Sequence, residues 1–334
     1  MEMDKLGVLT SFIHNIVVYN IPLLYGTVGE IVTEKSGSLN LGVEGIMAIG
    51  AIFGYVVGAK TDSMILGLLV AFLAAGLCGL LFAVLTVTLQ ANQNVTGLTI
   101  TTFGLGLYFF VGVALTSGGN WPVFAESANF KSAFAPIEIP LLSDIPFFGK
   151  AFFSHNILVY LAVLIAVVMW AYMKYTKPGL RMRAIGENPA AADAVGVNIT
   201  LYKYLHIILG AGIMGIGGFY MGLNLGGSFE GSNCWINGYG WIAIALVIFA
   251  NWNTLLAIAG TMVFGLFNTL QVYSGSLASE FPSVLGWLKD IPSQLYSALP
   301  FIITAIVLVI YSVRKNANKQ EPAAKGINYY REDR

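Results

Sequence analysis

Long stretches of this chain carry no charged residue. No charged residue occurs between Asp62 and Glu126, and residues 6–29 form another interval without charge. A transmembrane helix needs about 20 mostly apolar residues, so the first stretch has room for two spans and the second for one. The chain is 57% hydrophobic and only 10% charged. These features predict an all-α, polytopic integral membrane protein.

Polar breaks divide the longer apolar stretches. The cluster Gln90–Asn94 separates two spans within residues 63–125, and Asn251–Asn253 separates two within residues 230–280. Together with the other intervals, these breaks predict about nine transmembrane helices, within a range of about eight to ten. The remaining spans are expected at residues 6–29, 39–59, 156–173, 204–223 and 295–313. The span at 204–223 is rich in glycine, which lets helix backbones approach closely and favours a central position in the bundle.

Residues 39–59 differ from a regular span because their first turns are polar. Ser36, Gly37, Ser38 and Asn40 supply turn and capping chemistry in front of an apolar run. We therefore expect a broken helix whose irregular start is buried in protein, as the membrane interior requires.

The distribution of Lys and Arg predicts the topology. Most of the 17 basic residues lie in residues 174–203 and 314–334, and such segments are cytoplasmic by the positive-inside rule. The loop at residues 117–155 holds more acids than bases and is expected outside. We thus predict a transmembrane domain at 1–313, a disordered cytoplasmic tail at 314–334, and an N-terminus outside without a removable signal peptide. Cys78 and Cys234 are expected to lie at different depths and to form no disulfide.

A miniature helix stands out inside the basic segment 174–203. Asn188 is a suitable N-cap, Pro189 suits the first helical position, and Gly196 suits the exit. A helix this short needs a surface to dock against. Two interpretations remain open: its small apolar residues enter a groove on another protein, or it lies on lipid headgroups. Those apolar residues are Ala190, Ala191, Ala194 and Val195.

Polar side chains inside the spans are the candidates for a substrate path. Glu44 follows Asn40 by four residues, so on a helix the two share one face. A carboxylate at membrane depth either lines a path or accepts the N–H groups at a helix N-terminus, and the sequence leaves both open. Further candidates are Thr96, Thr99, Thr101, Thr102, Asn268 and Gln271.

Other functional classes lack support in the sequence. His, Cys and carboxylate residues show no metal-ligand spacing, no serine has a credible triad, and no glycine-rich loop with a lysine could cradle a phosphate. A net charge of zero gives no indication of nucleic-acid binding. We therefore expect no catalytic residues, no metal and no cofactor. The energy for any transport would come from an ion gradient or from a partner.

Three spaced motifs resemble one family. SGSLNLGVEGIMAIGA (36–51), GLRMRAIGENPAAADAVGVN (179–198) and GYGWIAIALVIFANWN (238–253) are similar to segments of the permease subunits of ABC importers for simple sugars, branched-chain amino acids and nucleosides. The form LNLGVEG, with its glutamate, resembles the guanosine or purine nucleoside permeases most. Two departures from the family are the lack of an extra N-terminal span and a tail without a counterpart.

The resemblance implies a function and a set of partners. It implies a permease subunit in the plasma membrane of a bacterium, not itself an enzyme, that carries a purine nucleoside such as guanosine. It further implies a cytoplasmic ATPase that binds the ATP, a second homologous permease in a heterodimer, and an extracytoplasmic substrate-binding lipoprotein. The miniature helix would then be the coupling helix. Alternatives are the same machinery importing a simple sugar such as ribose, or a stand-alone secondary transporter.

This interpretation assigns two sets of residues, one to coupling and one to the substrate path. Coupling to the ATPase is assigned to Arg183, Glu187, Asn188, Pro189, Ala190, Ala191, Asp193, Ala194 and Gly196. The substrate path is assigned to Asn40, Glu44, Thr96, Thr99, Asn268 and Gln271.

Overall fold

A computed structural model describes residues 2–122, 127–138, 140, 142–143, 145, 147–313 and 321–330. Within these residues the protein is mostly helical, and seven helices are long and apolar enough to cross a membrane. The seven are α1 (Glu2–Lys35), α2 (Val43–Lys60), α3 (Met64–Ala83), α4 (Gln93–Ser117), α7 (Ile157–Tyr175), α10 (Ile199–Asn224) and α12 (Thr254–Glu280). The chain is a multi-pass membrane protein.

The remaining elements are shorter or lie outside the apolar spans. α3 continues through a π-helical turn at Val84–Thr88. The loop at residues 117–155, here called the outer loop because it is predicted to lie outside, contains α5 (Ala128–Ala133), α6 (Phe148–Phe152) and an antiparallel pair of strands, β1 (Ile137–Glu138) and β2 (Ser154–His155). The rest of the chain adds α8 (Lys177–Glu187), α9 (Pro189–Ala194), α11 (Tyr239–Phe249), α13 (Pro282–Leu285), a 3₁₀ turn at Gly286–Asp290, and α14 (Ser293–Val313).

Each of the predicted spans has a helix at its position, but α11 differs from the prediction in length. It has 11 residues, or about 16 Å of helix, whereas the hydrocarbon core of a bilayer is about 30 Å thick. α11 therefore crosses only about half of a membrane by itself. The chain that precedes it, residues 225–238, has no regular helix.

The helices begin where the sequence supplies side-chain caps. Asn92 accepts a hydrogen bond from the Val95 amide, and Asn253 accepts one from the Leu255 amide. Each cap satisfies an amide that the helix itself leaves without a partner. Comparable caps open other helices, at Ser63, Asn156, Thr176, Asn188 and Asn198.

The core lies around α2 and α10. In the most apolar window of α10 83% of the residues are buried, and in α2 78%, against 28–39% in the other five spans. The prediction that the glycine-rich helix is central is confirmed. The contact needs glycine: a β-carbon at Gly50 would stand 2.3 Å from the α-carbon of Gly215, so any larger residue would force α2 and α10 apart.

The prediction of a disordered tail was wrong for residues 321–330. These residues, here called the C-terminal strap, pack on the end of the helical bundle, with Ala324 only 8% exposed. The Lys325 ammonium lies 3.5 Å from a carboxylate oxygen of Glu34, which is itself buried at the end of α1. A polar composition had suggested disorder, but a buried carboxylate on another helix gives this segment a partner. The rest of the predicted tail, 314–320 and 331–334, lies outside the described residues.

Candidate translocation path and coupling surface

The irregular segment before α2 is buried in protein. The Asn40 amide donates to Glu30 Oε1 (3.1 Å), the Gly42 amide to Asn40 Oδ1 (2.8 Å), and the Leu39 amide to Gln93 Oε1 (2.7 Å). Side chains from α1 and α4 thus satisfy backbone groups that a regular helix would have paired internally. Non-helical backbone is tolerated at membrane depth only where protein or water satisfies it, and here the protein does so.

Glu44 caps the short helix α11. Its two carboxylate oxygens accept hydrogen bonds from the amides of Gly238 and Gly240, at 2.7 Å each, and the residue is 4% exposed. These amides open α11, where the helix dipole favours a negative charge. Of the two roles left open by the sequence, the structure shows the capping role, and it shows that the capped helix is the short one.

The Glu44 contact lies in the middle of the bundle. A β-carbon at Gly104, halfway along α4, would stand 2.3 Å from the carbonyl oxygen of Gly45. One at Gly240 would stand 2.4 Å from the Glu44 nitrogen. The N-termini of α2 and α11 therefore meet at the depth of the centre of α4, and the Glu44 carboxylate joins them.

The other residues predicted to line the substrate path lie in separate regions of the structure. Near the broken segment, Thr101 donates to the Leu41 carbonyl (3.0 Å), whereas Thr96 and Thr99 bond carbonyls of their own helix. Asn268 lies elsewhere, at the contact of α12 with α1, where its amide donates to Asn20 (3.3 Å). Gln271 is exposed on α12. The structure thus places Asn40 and Glu44 at one site and Asn268 at another.

Two carboxylates at the end of α1 were not among the predicted site residues. Glu30 is 0% exposed and Glu34 is 2% exposed. Glu34 accepts a hydrogen bond from the Trp252 indole and pairs with Lys325, whose ammonium also lies 4.6 Å from the centre of the Trp252 ring. Their spacing of four residues was the available signal, but the predicted first span ends before the next charge, Glu30.

A histidine pair forms at the opposite end of the bundle, although the two residues are distant in sequence. The rings of His14 and His155 stack with centroids 4.4 Å apart, beside a cavity of about 740 Å³. Burial, and secondarily the neighbouring His14, lower the pKa of His155 to about 4. In the part of the chain that the structure describes, no three His, Cys, Asp or Glu residues are grouped as metal ligands.

The predicted miniature helix is present as α9. Asn188 Oδ1 accepts from the Ala191 amide (3.0 Å), and Gly196 leaves the helix with φ +80°. Ala192 faces the protein at 3% exposed. The small apolar surface predicted for docking faces outward, through Ala190, Ala191, Ala194 and Val195. A second amphipathic helix, α8, precedes α9 and was not predicted.

The C-terminal strap runs along this segment. The Ala324 amide donates to the Gly186 carbonyl (2.8 Å), the Ala323 amide to Glu187 Oε2 (3.4 Å), and the Tyr329 hydroxyl to Asp193 Oδ2 (2.9 Å). Two of the predicted coupling residues, Glu187 and Asp193, therefore hold the strap. Arg183 is exposed and, with Glu187, lines a cavity of about 360 Å³ beside α7.

Comparison with known proteins gives a consistent result. The family model described as "Branched-chain amino acid transport system / permease component" matches residues 12–309. The chain is 32% identical to the nucleoside ABC transporter permease protein NupC of Lactococcus lactis, over 98% of this chain and 99% of the relative. It is also 32% identical to the guanosine ABC transporter permease protein NupQ of Bacillus subtilis, over 98% of both chains.

Two further comparisons bear on substrate and assembly. A putative glucose ABC transporter permease protein of Haloferax volcanii, TsgC13, is 33% identical over 93% of this chain and 94% of the relative. Bacillus subtilis has a second guanosine permease protein, NupP, which is 23% identical over 84% of this chain and 76% of the relative. No solved structure matches.

Proposed function

We propose that this chain, which belongs to the family of branched-chain amino acid transport system permease components, forms the membrane path of an ATP-driven nucleoside importer. Members of this family are transport subunits rather than enzymes. A purine nucleoside such as guanosine is the favoured substrate. The observation that carries this proposal is the full-length similarity to NupC and NupQ, whose names specify nucleoside and guanosine transport. The LNLGVEG motif points the same way.

A simple sugar is the second candidate substrate. The Haloferax volcanii relative named for glucose is as similar to this chain as the nucleoside permeases are. Sugars and nucleosides are both polar and uncharged, so the asparagines and threonines around the broken segment suit either one. The choice between the two substrates rests on uptake measurements.

The proposed partners are an ATPase, a second permease and an extracytoplasmic binding lipoprotein. The outward-facing alanines of α9 would enter a groove on the ATPase, with α8 and the strap holding α9 in place. The pair NupQ and NupP in one organism supports a heterodimer of two unlike permeases. We place α9 and the strap in the cytoplasm and the N-terminus outside, in the plasma membrane of a bacterium.

The proposed path passes the meeting point of α2 and α11. In a nine-span arrangement that includes α11 and α14, the irregular stretches before α2 and α11 make two broken helices that meet near mid-membrane. Many secondary transporters bind substrate at broken helices of this depth, and we infer the same for this permease. Asn40 would line the path directly, and Glu44 would position α11 beside it.

Co-expression tests whether the chain works as a subunit. Cells that carry the chain together with the ATPase, the second permease and the lipoprotein are expected to accumulate radiolabelled guanosine. Cells that carry the chain alone, or the full set with an ATPase unable to hydrolyse ATP, are expected to show background uptake. Uptake by the chain alone would identify a secondary transporter instead.

A further inference from the structure

A polar groove of about 650 Å³ lies beside the coupling surface and shares Asp193 and Gly196 with it. Four parts of the chain form its walls: the π-helical turn and Gln90, the end of α9 with the turn after it, the start of α10, and the end of the C-terminal strap. Asn198, Thr200, Lys203, Asn328 and Tyr329 are among the residues that line it. The groove has the size of an ordinary small-molecule site.

Lys203 is a largely buried cation for which the described part of the chain provides no counter-ion. It is 4% exposed, and it makes no ion pair or hydrogen bond with any side chain in the described part of the chain. Asp193 also lines the groove, but its carboxylate accepts the Tyr329 hydroxyl. Burial of an unpaired charge is costly, so an ammonium held at this position calls for an anion.

The start of α10 places amide donors on the same side as Lys203. Asn198 caps the helix by accepting from the Leu201 amide (3.0 Å), which leaves the amides of Ile199 and Thr200 without an intrahelical acceptor. Lys203 follows these residues by one helical turn, and side chains on a helix lean towards its N-terminus. The ammonium and the positive end of the helix dipole thus reinforce each other.

We propose that this polar groove binds a phosphate-bearing ligand, with the phosphate between Lys203 and the first turn of α10. Helix N-termini with a nearby cation are common phosphate sites. The volume exceeds that of a phosphate group, so a phosphorylated small molecule such as a nucleoside monophosphate fits, as does a lipid headgroup. Gln90 Oε1, buried and without a partner among the described residues, provides an acceptor for the rest of the ligand.

Thermal stability of the purified complex measures binding. The probes are inorganic phosphate, guanosine 5′-monophosphate, and nanodiscs of phosphatidylglycerol compared with phosphatidylcholine. A rise in Tm with a soluble phosphate identifies a free ligand, and a rise only in phosphatidylglycerol identifies a lipid; both support the site. Lys203→Met is expected to weaken binding about tenfold or more, because it removes a charged hydrogen-bond donor.

Two matched variants separate binding from folding. Thr200→Asp places a carboxylate at the exposed mouth of the groove, where it suits the helix N-terminus but repels a phosphate, so it should also abolish binding. Lys177→Met removes an exposed lysine of the same basic segment and should bind as the wild type does. Without ligand, Lys203→Met should unfold at the wild-type Tm or above, since it removes an unpaired buried charge.

Two results would overturn the proposal. One is that no phosphate probe raises the Tm, or that Lys203→Met and Thr200→Asp respond to the probes as the wild type does. The other is that the isolated chain binds phosphate but the complex with the ATPase does not, because a side chain of the ATPase would then occupy the groove.

Discussion

At the scale of single residues, the Glu44 carboxylate is the contact on which the proposed path depends most. It joins the N-termini of α2 and α11 through two hydrogen bonds of 2.7 Å in a region closed to solvent. α11 has few other means of fixing its start, since Gly238 lies in the left-handed region (φ +92°) and provides no side-chain cap. Glu44 is therefore the side-chain cap of α11, while the helix's buried residues Ala243, Leu246 and Val247 pack against the bundle.

Replacing Glu44 tests this dependence. Glu44→Ala leaves the buried Gly240 amide and the half-buried Gly238 amide without their acceptor, and should cost about 1–3 kcal/mol for the first and less for the second. We expect a lower Tm and reduced uptake, with the ATPase still co-purifying. Glu230→Ala, which removes an exposed acid from the loop before α11, is the control and should leave both unchanged. Wild-type uptake by Glu44→Ala would show that transport does not depend on the cap of α11.

Lys325 connects the C-terminal strap to the bundle through its ion pair with Glu34. Lys325→Met leaves the buried Glu34 carboxylate without its cation, which should cost about 1–3 kcal/mol and expose the strap to limited proteolysis. Glu321→Gln changes the other partner of Lys325, which is 44% exposed, and should cost less than about 1 kcal/mol. Equal protease resistance of Lys325→Met and wild type would show that the ion pair does not hold the strap.

At the scale of secondary-structure elements, α9 could be predicted from neighbouring residues in the sequence. The structures of the strap and of α11 depend instead on contacts between residues that are distant in the sequence. Asn188, Pro189 and Gly196 form a start and a stop within one short segment, so the helix could be read directly from the sequence. The strap is held by contacts between residues distant in sequence, among them Lys325 with Glu34, which are nearly the whole chain apart, and Tyr329 with Asp193. No local pattern contains these pairings. The same holds for α11, whose start is fixed by Glu44 on another helix.

The site itself was predicted in part for the same reason. Asn40 and Glu44 stood out because polar side chains in an apolar run are visible in sequence. Glu30 and Glu34 were missed because charge was taken as the end of a span, whereas α1 continues to Lys35. Asn268 was grouped with the path by polarity alone, and the structure gives it Asn20 as a partner on α1.

The outward face of α9 makes a prediction about coupling. Ala191→Arg adds bulk and charge to a surface that would need close packing against the ATPase. We expect loss of uptake and of ATPase co-purification, with normal membrane insertion of the permease. Ala191→Ser, a small change at the same position, should retain both. Survival of co-purification and uptake in Ala191→Arg would mean that another face of the segment docks.

At the scale of the whole molecule, the proposed orientation places α8, α9 and the strap on one side of the membrane and the outer loop on the other. Their contacts already require α8, α9 and the strap to share a side, because the strap bonds Gly186 and Asp193. The remaining question is which side faces the cytoplasm. The concentration of bases in these segments favours the cytoplasm.

Cysteine labelling measures this orientation. In a variant without Cys78 and Cys234, single cysteines at the exposed positions Leu180 and Tyr330 should resist an impermeant thiol reagent in intact cells. They should react after permeabilisation. A cysteine at the exposed Ala135, in the outer loop, should react in intact cells and serves as the positive control. Labelling of Leu180→Cys from outside would reverse the topology.

Competitive uptake is the sharpest test of the proposal that this permease carries a nucleoside. Proteoliposomes that hold the complete complex and internal ATP, with the binding lipoprotein outside, are supplied with labelled guanosine. We predict saturable, ATP-dependent uptake that excess unlabelled guanosine suppresses and that excess ribose or glucose does not. Saturable uptake of labelled ribose or glucose that excess guanosine leaves unchanged would contradict the claim and assign the protein to sugar import.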